Sequence, residues 1–242
     1  MGWGTALQIL LKGRQGPCAH CGAGLGLKAL VDSDGRPFCP FHGRDALCVA
    51  CGRVGGQATS VGIRLCTKCA SQGVLKDSHA RGILERVQKE LGGLGFRVME
   101  SGIPIHLVTA NELARPGVTH EGRREGLVNY LVGDDGTYQV QRILVQKGLP
   151  PCLSGRIVAH ELGHVWLLQE GTRQLTPQKE EGFCEFCAWL WMNRRSSPEI
   201  AYRSKVMEES PDPVYGAGFR EAKGRFLRGG VPFLLSWLSA GA

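Results

Sequence analysis

The chain has 242 residues, with 29 Lys and Arg against 22 Asp and Glu and a formal net charge of +7. Hydrophobic residues make up 43% and charged residues 21%, a globular balance that excludes a disordered, collagen-like or coiled-coil chain. No run of eighteen apolar residues occurs, and the apolar stretch at 5–11 has neither a basic lead nor a small-residue cleavage site, so the expectation is a cytoplasmic chain with no transmembrane helix and no signal peptide.

In chain order, a short N-terminal segment (1–16) precedes a Gly-rich stretch that holds seven of the ten cysteines. Their order is Cys18-x₂-Cys21-x₁₇-Cys39-x₂-His42-x₅-Cys48-x₂-Cys51-x₁₄-Cys66-x₂-Cys69. Eight ligands in four pairs suit two tetrahedral structural zinc ions, one Cys₃His and one Cys₄. Sequential pairing, Cys18, Cys21, Cys39 and His42 for one ion and Cys48, Cys51, Cys66 and Cys69 for the other, gives a LIM-like double finger, whereas cross-braced pairing gives a RING-like one. His20 lies between two cysteines that already fill a knuckle. Cys152, Cys184 and Cys187 have no partner at metal spacing and read as small buried hydrophobes.

The composition changes near residue 75, which sets a two-zinc module at 17–75 and a second domain at 76–242. Ile83, Leu84, Val87 and Leu91 recur at helical spacing and predict a helix over 78–92. Alternating runs follow at 96–99 and 103–108, then 127–132 and 138–145, the last two flanking Gly133-Asp134-Asp135-Gly136 as a β-hairpin. Beyond Pro150-Pro151 the chain turns helical. Ser154 is the expected N-cap of a helix reaching Gln169, Thr176-Pro177 opens a second helix to about Arg194, and Ser197-Pro198 opens a third. A Pro-rich turn at 210–216 leads into a basic helix and a short apolar one. Strands first and helices afterwards make the second domain α+β, with a short antiparallel sheet and a helix pair carrying the site.

The first of that pair contains His160-Glu161-Leu162-Gly163-His164. Spacing of four puts both imidazoles on one helix face, where they reach a single zinc, with Glu161 beside them as general base toward a water at the metal. A catalytic zinc of this kind takes a third, carboxylate ligand and keeps a fourth position open. Glu180-Glu181-Gly182-Phe183-Cys184-Glu185 opens the next helix, sixteen residues after His164. Glu181 is the better ligand of the two adjacent acids, because it leaves Glu185 one turn further along the same face as hydrogen-bond partner for a zinc histidine.

This arrangement resembles the gluzincin metallopeptidases. Cys39-Pro40-Phe41-His42, the two later Cys-x-x-Cys pairs, Gly148-Leu149-Pro150, Ile157-Val158-Ala159-His160-Glu161, Glu180-Glu181-Gly182 and Pro213-Val214-Tyr215-Gly216 together resemble, in order and over nearly the whole chain, the plant LIM-domain, ubiquitin-activated peptidases that limit organ size. The resemblance implies a LIM-like order of zinc pairing and a zinc endopeptidase acting on protein substrates. It implies His160, His164 and Glu181 as ligands of one catalytic zinc beside two structural ones, and Glu161 as base. It also implies Tyr215 as oxyanion partner, with Tyr202 as substitute, Arg220 as a substrate contact, and 138–145 as the edge strand that aligns substrate. No counterpart of the family's ubiquitin-interacting helices or first LIM domain is present, so ubiquitin activation is not carried over and the expectation is a short relative. LIM-like fingers bind proteins, so the module is expected to engage a partner or to pack on the peptidase. The alternative function is a protein-binding zinc-finger adaptor with a latent or inactive peptidase-like domain.

The positive charge sits on residues 1–76, which carry net +6 against +1 for the remainder. Seven thiolates and two zinc ions bring the first part to +3, and a catalytic zinc brings the second to +3. The charge then favours no polyanionic partner, and neither nucleic acid nor membrane is expected.

Overall fold

The computed structural model describes residues 8–10, 16–26, 28–59, 63–113, 125–134, 136–172 and 175–239. Along the chain run β1 (Gln8–Leu10), β2 (Lys28–Val31), β3 (Pro37–Phe38), a tight 3₁₀ segment (Pro40–Ala46), β4 (Gln57–Ala58), β5 (Arg64–Leu65) and α1 (Thr67–Ser71). They are followed by α2 (Asp77–Gly92), β6 (Ile105–Val108), α3 (Ala110–Leu113), β7 (Gly126–Val132) and β8 (Tyr138–Gln146). Four helices complete the fold: α4 (Pro151–Gln169), α5 (Pro177–Met192), α6 (Pro198–Glu208) and α7 (Tyr215–Ser239). Among the described residues, no helix is long and apolar enough to cross a membrane.

The mixture of helix and short sheet agrees with the α+β expectation, but the sheet of the second domain is not purely antiparallel. Its order is β6-β8-β7; β7 and β8 form the expected hairpin, while β6 pairs parallel to β8, with Ile105 opposite Ile143. The hairpin fills one side of β8, and β6 occupies the other side in the same direction. The expected edge strand, β8, is therefore central, and β6 and β7 are the outer strands, β7 pairing with no strand other than β8 among the described residues. Asp135 of the turn lies outside the described residues.

The run at 96–99 is not a strand. Its backbone groups are taken by side chains: Gln88 Nε2 donates to Val98 O at 3.1 Å, Gln169 Oε1 accepts from Met99 N at 2.6 Å and Gln169 Nε2 donates to Arg97 O at 3.1 Å. Phe96 is thereby fixed edge-on against Trp166, Phe183 and Phe186 in the core.

Helix α4 starts three residues before its expected cap. Pro151 takes the first turn, where its fixed φ and missing N–H cost nothing, and Ser154 lies inside the helix with its hydroxyl donating to Leu149 O at 3.2 Å. Thr176 and Ser197 do cap their helices, accepting from Lys179 N and Ile200 N. Helices α4 and α5 are buried on nearly all faces, and glycines let helices approach closely. A Cβ on Gly155 would fall 2.1 Å from the Trp191 ring, one on Gly163 3.0 Å from Cys184 Sγ, and one on Gly182 2.3 Å from the backbone of Gly218 on α7. These approaches bring the start of α5 and the start of α7 to the middle of α4.

The boundary near residue 75 is a change in composition, not a gap in packing. Cys18, Leu25, Ala29, Phe38, Ala46, Leu47 and Val54 form a small separate cluster. Cys48, Cys51, Ile63, Leu65, Cys69 and Val74 instead belong to the main core, with α2, α4 and α5. Val74 N donates to Leu149 O at 2.8 Å and Gly148 N to Val74 O at 2.9 Å, which joins the end of the second finger to the turn before α4. Arg203 Nη1 of α6 donates to Val49 O at 2.9 Å.

Candidate metal centres

Two thiol-rich clusters form in sequential order, Cys18-Cys21-Cys39-His42 and Cys48-Cys51-Cys66-Cys69, which decides the pairing against the cross-braced alternative. None of the ten cysteines is in a disulfide. Cys21 Sγ and Cys39 Sγ stand 3.9 Å apart, and Cys51 Sγ and Cys66 Sγ 3.8 Å. A tetrahedron with Zn–S of about 2.3 Å has an S···S edge of about 3.8 Å, so the thiols are spaced for zinc. The backbone supports this: Cys39 N and His20 N donate to Cys18 Sγ at 3.2 and 3.4 Å. Burial raises the Cys18 thiol, but the backbone N–H groups of Cys21, Cys39 and His20 outweigh it and lower it to about 6. His20 is no member of the cluster and stacks edge-on against His42 with ring centroids 4.4 Å apart.

A third cluster lies where α4 meets α5. Glu181 Oε2 stands 3.2 Å from His160 Nε2 and 3.7 Å from His164 Nε2. This oxygen is buried and has no hydrogen bond of acceptable angle. Three ligand atoms converging without hydrogen-bond geometry, at separations close to the roughly 3.3 Å edge of a tetrahedron with about 2.0–2.1 Å bonds, fit a metal ion. The far ring nitrogens differ: His164 Nδ1 is hydrogen-bonded with Glu180 Oε1 at 3.1 Å, whereas His160 Nδ1 lies 3.0 Å from Glu185 Oε1 without hydrogen-bond geometry. Both acids at the start of α5 thus face His164, Glu181 at Nε2 and Glu180 at Nδ1. Cys184 Sγ forms with the two histidines a group of candidate ligand atoms within 4.8 Å of one another; this fully buried thiol packs on Gly163, and its spacing in the sequence gave no sign of this placement.

Electrostatics here are those of two buried imidazoles enclosed by carboxylates. Burial disfavours the imidazolium form, but Glu181 and Glu185 around His160, and Glu180 and Glu181 around His164, outweigh it and hold both histidines well above the ordinary value. Burial would raise Glu181, yet the two imidazoles pull it far below the usual carboxylate range. Glu185, fully buried, is held at about 2, burial being overcome by Arg156 first and His160 next.

The remaining expected residues divide between the site and the scaffold. Glu161 is buried against the first residue of β7: a Cβ on Gly126 would fall 2.5 Å from Glu161 Oε1. Tyr215, 36% exposed at the start of α7, stacks over His160 with ring centroids 6.4 Å apart and planes 25° apart. Asp212 Oδ1 fixes that helix start by accepting from Val214 N and Tyr215 N, both at 2.8 Å. Arg220 is held away from the cluster, donating from Nη1 to Ser210 O at 2.6 Å and Glu208 O at 3.2 Å, and so braces the turn between α6 and α7. Tyr202 packs its ring over Gly52 of the second finger, where a Cβ would meet it at 2.4 Å. Sequence reasoning passed over Arg156, Glu125 and Gly126. The available signal was a lone arginine one helical turn before His160 in an otherwise apolar stretch.

A family model described as DA1-like, Protein DA1, matches residues 133–210, from the hairpin turn to just beyond α6. Protein DA1 of Arabidopsis thaliana is 25% identical, aligned over 77% of this chain and 47% of its own length. Protein DA1-related 1 of the same plant is 27% identical over 80% and 48%. The LIM domain-containing protein HDR3 of Oryza sativa subsp. japonica is 26% identical over 69% and 41%. The chain spans about half the length of these curated relatives. No solved structure matches it. The family match covers the α4–α5 cluster and the aligned proteins cover most of the chain, so the chain is similar to the DA1 proteins across both the fingers and the helix pair.

Proposed function

We propose that this chain is a zinc-dependent peptidase acting on extended polypeptides, with His160, His164 and Glu181 as the ligands of its catalytic zinc. The observation that carries this reading is the convergence of Glu181 Oε2 on both Nε2 atoms while a second buried carboxylate, Glu161, lies against the first residue of the outer strand β7. Zinc, when bound, acidifies a coordinated water and polarises a carbonyl. The protein's own part is positional. The outer edge of β7 offers backbone groups to an extended peptide, and Glu161, at the start of that strand, takes a proton from the attacking water and delivers it to the leaving amine. Tyr215, on the exposed side of His160, donates its hydroxyl to the oxygen that gains charge. The two fingers hold structural zinc. The first, outside the main core, is the part free to engage a protein partner.

Tyr215→Phe is expected to lower kcat by about 10²–10³-fold with little change in KM, measured by steady-state cleavage of a peptide selected from a random library. An unchanged kcat would remove Tyr215 from the reaction. Gly126→Ala places a methyl group against Glu161 Oε1 and Ile157. A displacement of the base by about 1 Å is expected to cost about 10²-fold in kcat with zinc content unchanged. Zinc content comes from metal analysis of the same sample.

A further inference from the structure

One side chain touches both halves of this site without facing the metal ligands' convergence point. Arg156 lies on α4 one turn before His160 and is 8% exposed. Its Nη1 donates to both oxygens of Glu185, at 3.1 and 3.3 Å, and its Nη2 donates to Glu125 Oε2 at 2.5 Å. Glu185 Oε1 is the oxygen that also lies against His160 Nδ1. Glu125 immediately precedes β7 and is itself pinned, its carbonyl accepting from Gln146 N at 2.9 Å. The next residue, Gly126, is the one that Glu161 packs against.

A buried guanidinium between two carboxylates is weak evidence for stability, because packed apolar side chains of the same volume usually serve a core as well or better. Its retention at this place needs another reason, and the geometry supplies one. One terminal nitrogen, Nη1, reaches both oxygens of Glu185, which restrains the carboxylate and keeps Oε1 in ionic contact with His160 Nδ1 at 3.0 Å, without a hydrogen bond. The same group holds the start of the edge strand at a set distance from α4. We infer that Arg156 is a positioning residue: through Glu185 it orients His160 as a metal ligand, and through Glu125 it registers the β7 edge, with Glu161 beside it, against that ligand. This rests on the reading of His160 as a zinc ligand.

The test is a double-mutant cycle in the full chain with Arg156→Met, Glu185→Gln and the double variant, plus Arg156→Lys. The readouts are zinc bound per chain, affinity for the third zinc by chelator competition, thermal unfolding, and kcat and KM. Arg156→Met is expected to keep both finger zincs and a cooperative transition while the third zinc binds about 10–100-fold more weakly. Arg156→Lys is expected to restore only part of that affinity, since an ammonium cannot span Glu125 and both Glu185 oxygens. In the Glu185→Gln background, Arg156→Met is expected to weaken the third zinc no further. Wild-type affinity in Arg156→Met, or an equal loss in both backgrounds, overturns the positioning role. Should Arg156→Met fail to fold, Arg156→Lys decides: wild-type third-zinc affinity and kcat overturn the inference, and a selective loss of that zinc supports it. A wild type that binds only two zinc ions removes the reading of the site itself, whereas a wild type with three and indifferent Arg156 variants removes this inference alone.

Discussion

Glu161→Gln is expected to hold as much zinc as the wild type and to cleave peptides about 10²–10⁴-fold more slowly. The amide keeps the volume and a hydrogen-bonding oxygen beside Gly126, and Glu161 is not among the three atoms that converge between His160, His164 and Glu181, so the metal cluster keeps its geometry. What the amide cannot do is accept and pass on a proton at neutral pH. Zinc analysis and library cleavage on the same preparation check both halves of the expectation. Wild-type cleavage by the variant would remove Glu161 from the mechanism.

Loss of the second finger's zinc is expected to unfold the domain built on α2, α4 and α5, whereas loss of the first is not. Cys69 and its neighbours Val74, Leu65 and Ile63 share one core with α2, α4 and α5, and the backbone of Val74 pairs with the turn that starts α4. A structural zinc contributes on the order of 10–16 kcal/mol to the fold it closes, comparable with the whole stability of a domain at about 5–15 kcal/mol. Cys69→Ser should therefore abolish the cooperative transition and the third zinc together. Cys21→Ser, at an exposed ligand outside that core, should leave the main transition and the third zinc in place. Thermal unfolding followed by circular dichroism, paired with zinc counts, separates the two. A Cys69→Ser protein that melts like the wild type would show the fingers to be energetically independent of the rest.

The contrast between the fingers shows where the sequence was legible. Pairs of cysteines at knuckle spacing announce tetrahedral sites from residue type alone, and the helix pair was readable because histidines four apart and an acid at a helix start obey the helical repeat. The hairpin was readable from its glycine turn. Failures came where long-range partners decide. Residues 96–99 alternate like a strand, but Gln88 and Gln169 take their backbone groups. Strand β8 reads as an edge until β6, returning in parallel, covers its other side. Ser154 has a cap's chemistry, but Pro151 starts the helix first. Arg156 and Glu125 are 31 residues apart, and nothing local marks them as a pair. Cys184 reads as a small apolar filler and is buried like one, yet its thiol stands within ligand range of both histidines.

The proposed catalytic centre stands or falls on a metal count. Zinc measured per chain in the purified wild type, in His160→Ala and in His164→Ala tests it most directly, because the two fingers supply an internal standard in every sample. Three zinc ions in the wild type and two in each variant, with the finger zincs retained, is the expected result. Two zinc ions in all three proteins would contradict a metal between His160, His164 and Glu181 and would favour a zinc-finger adaptor.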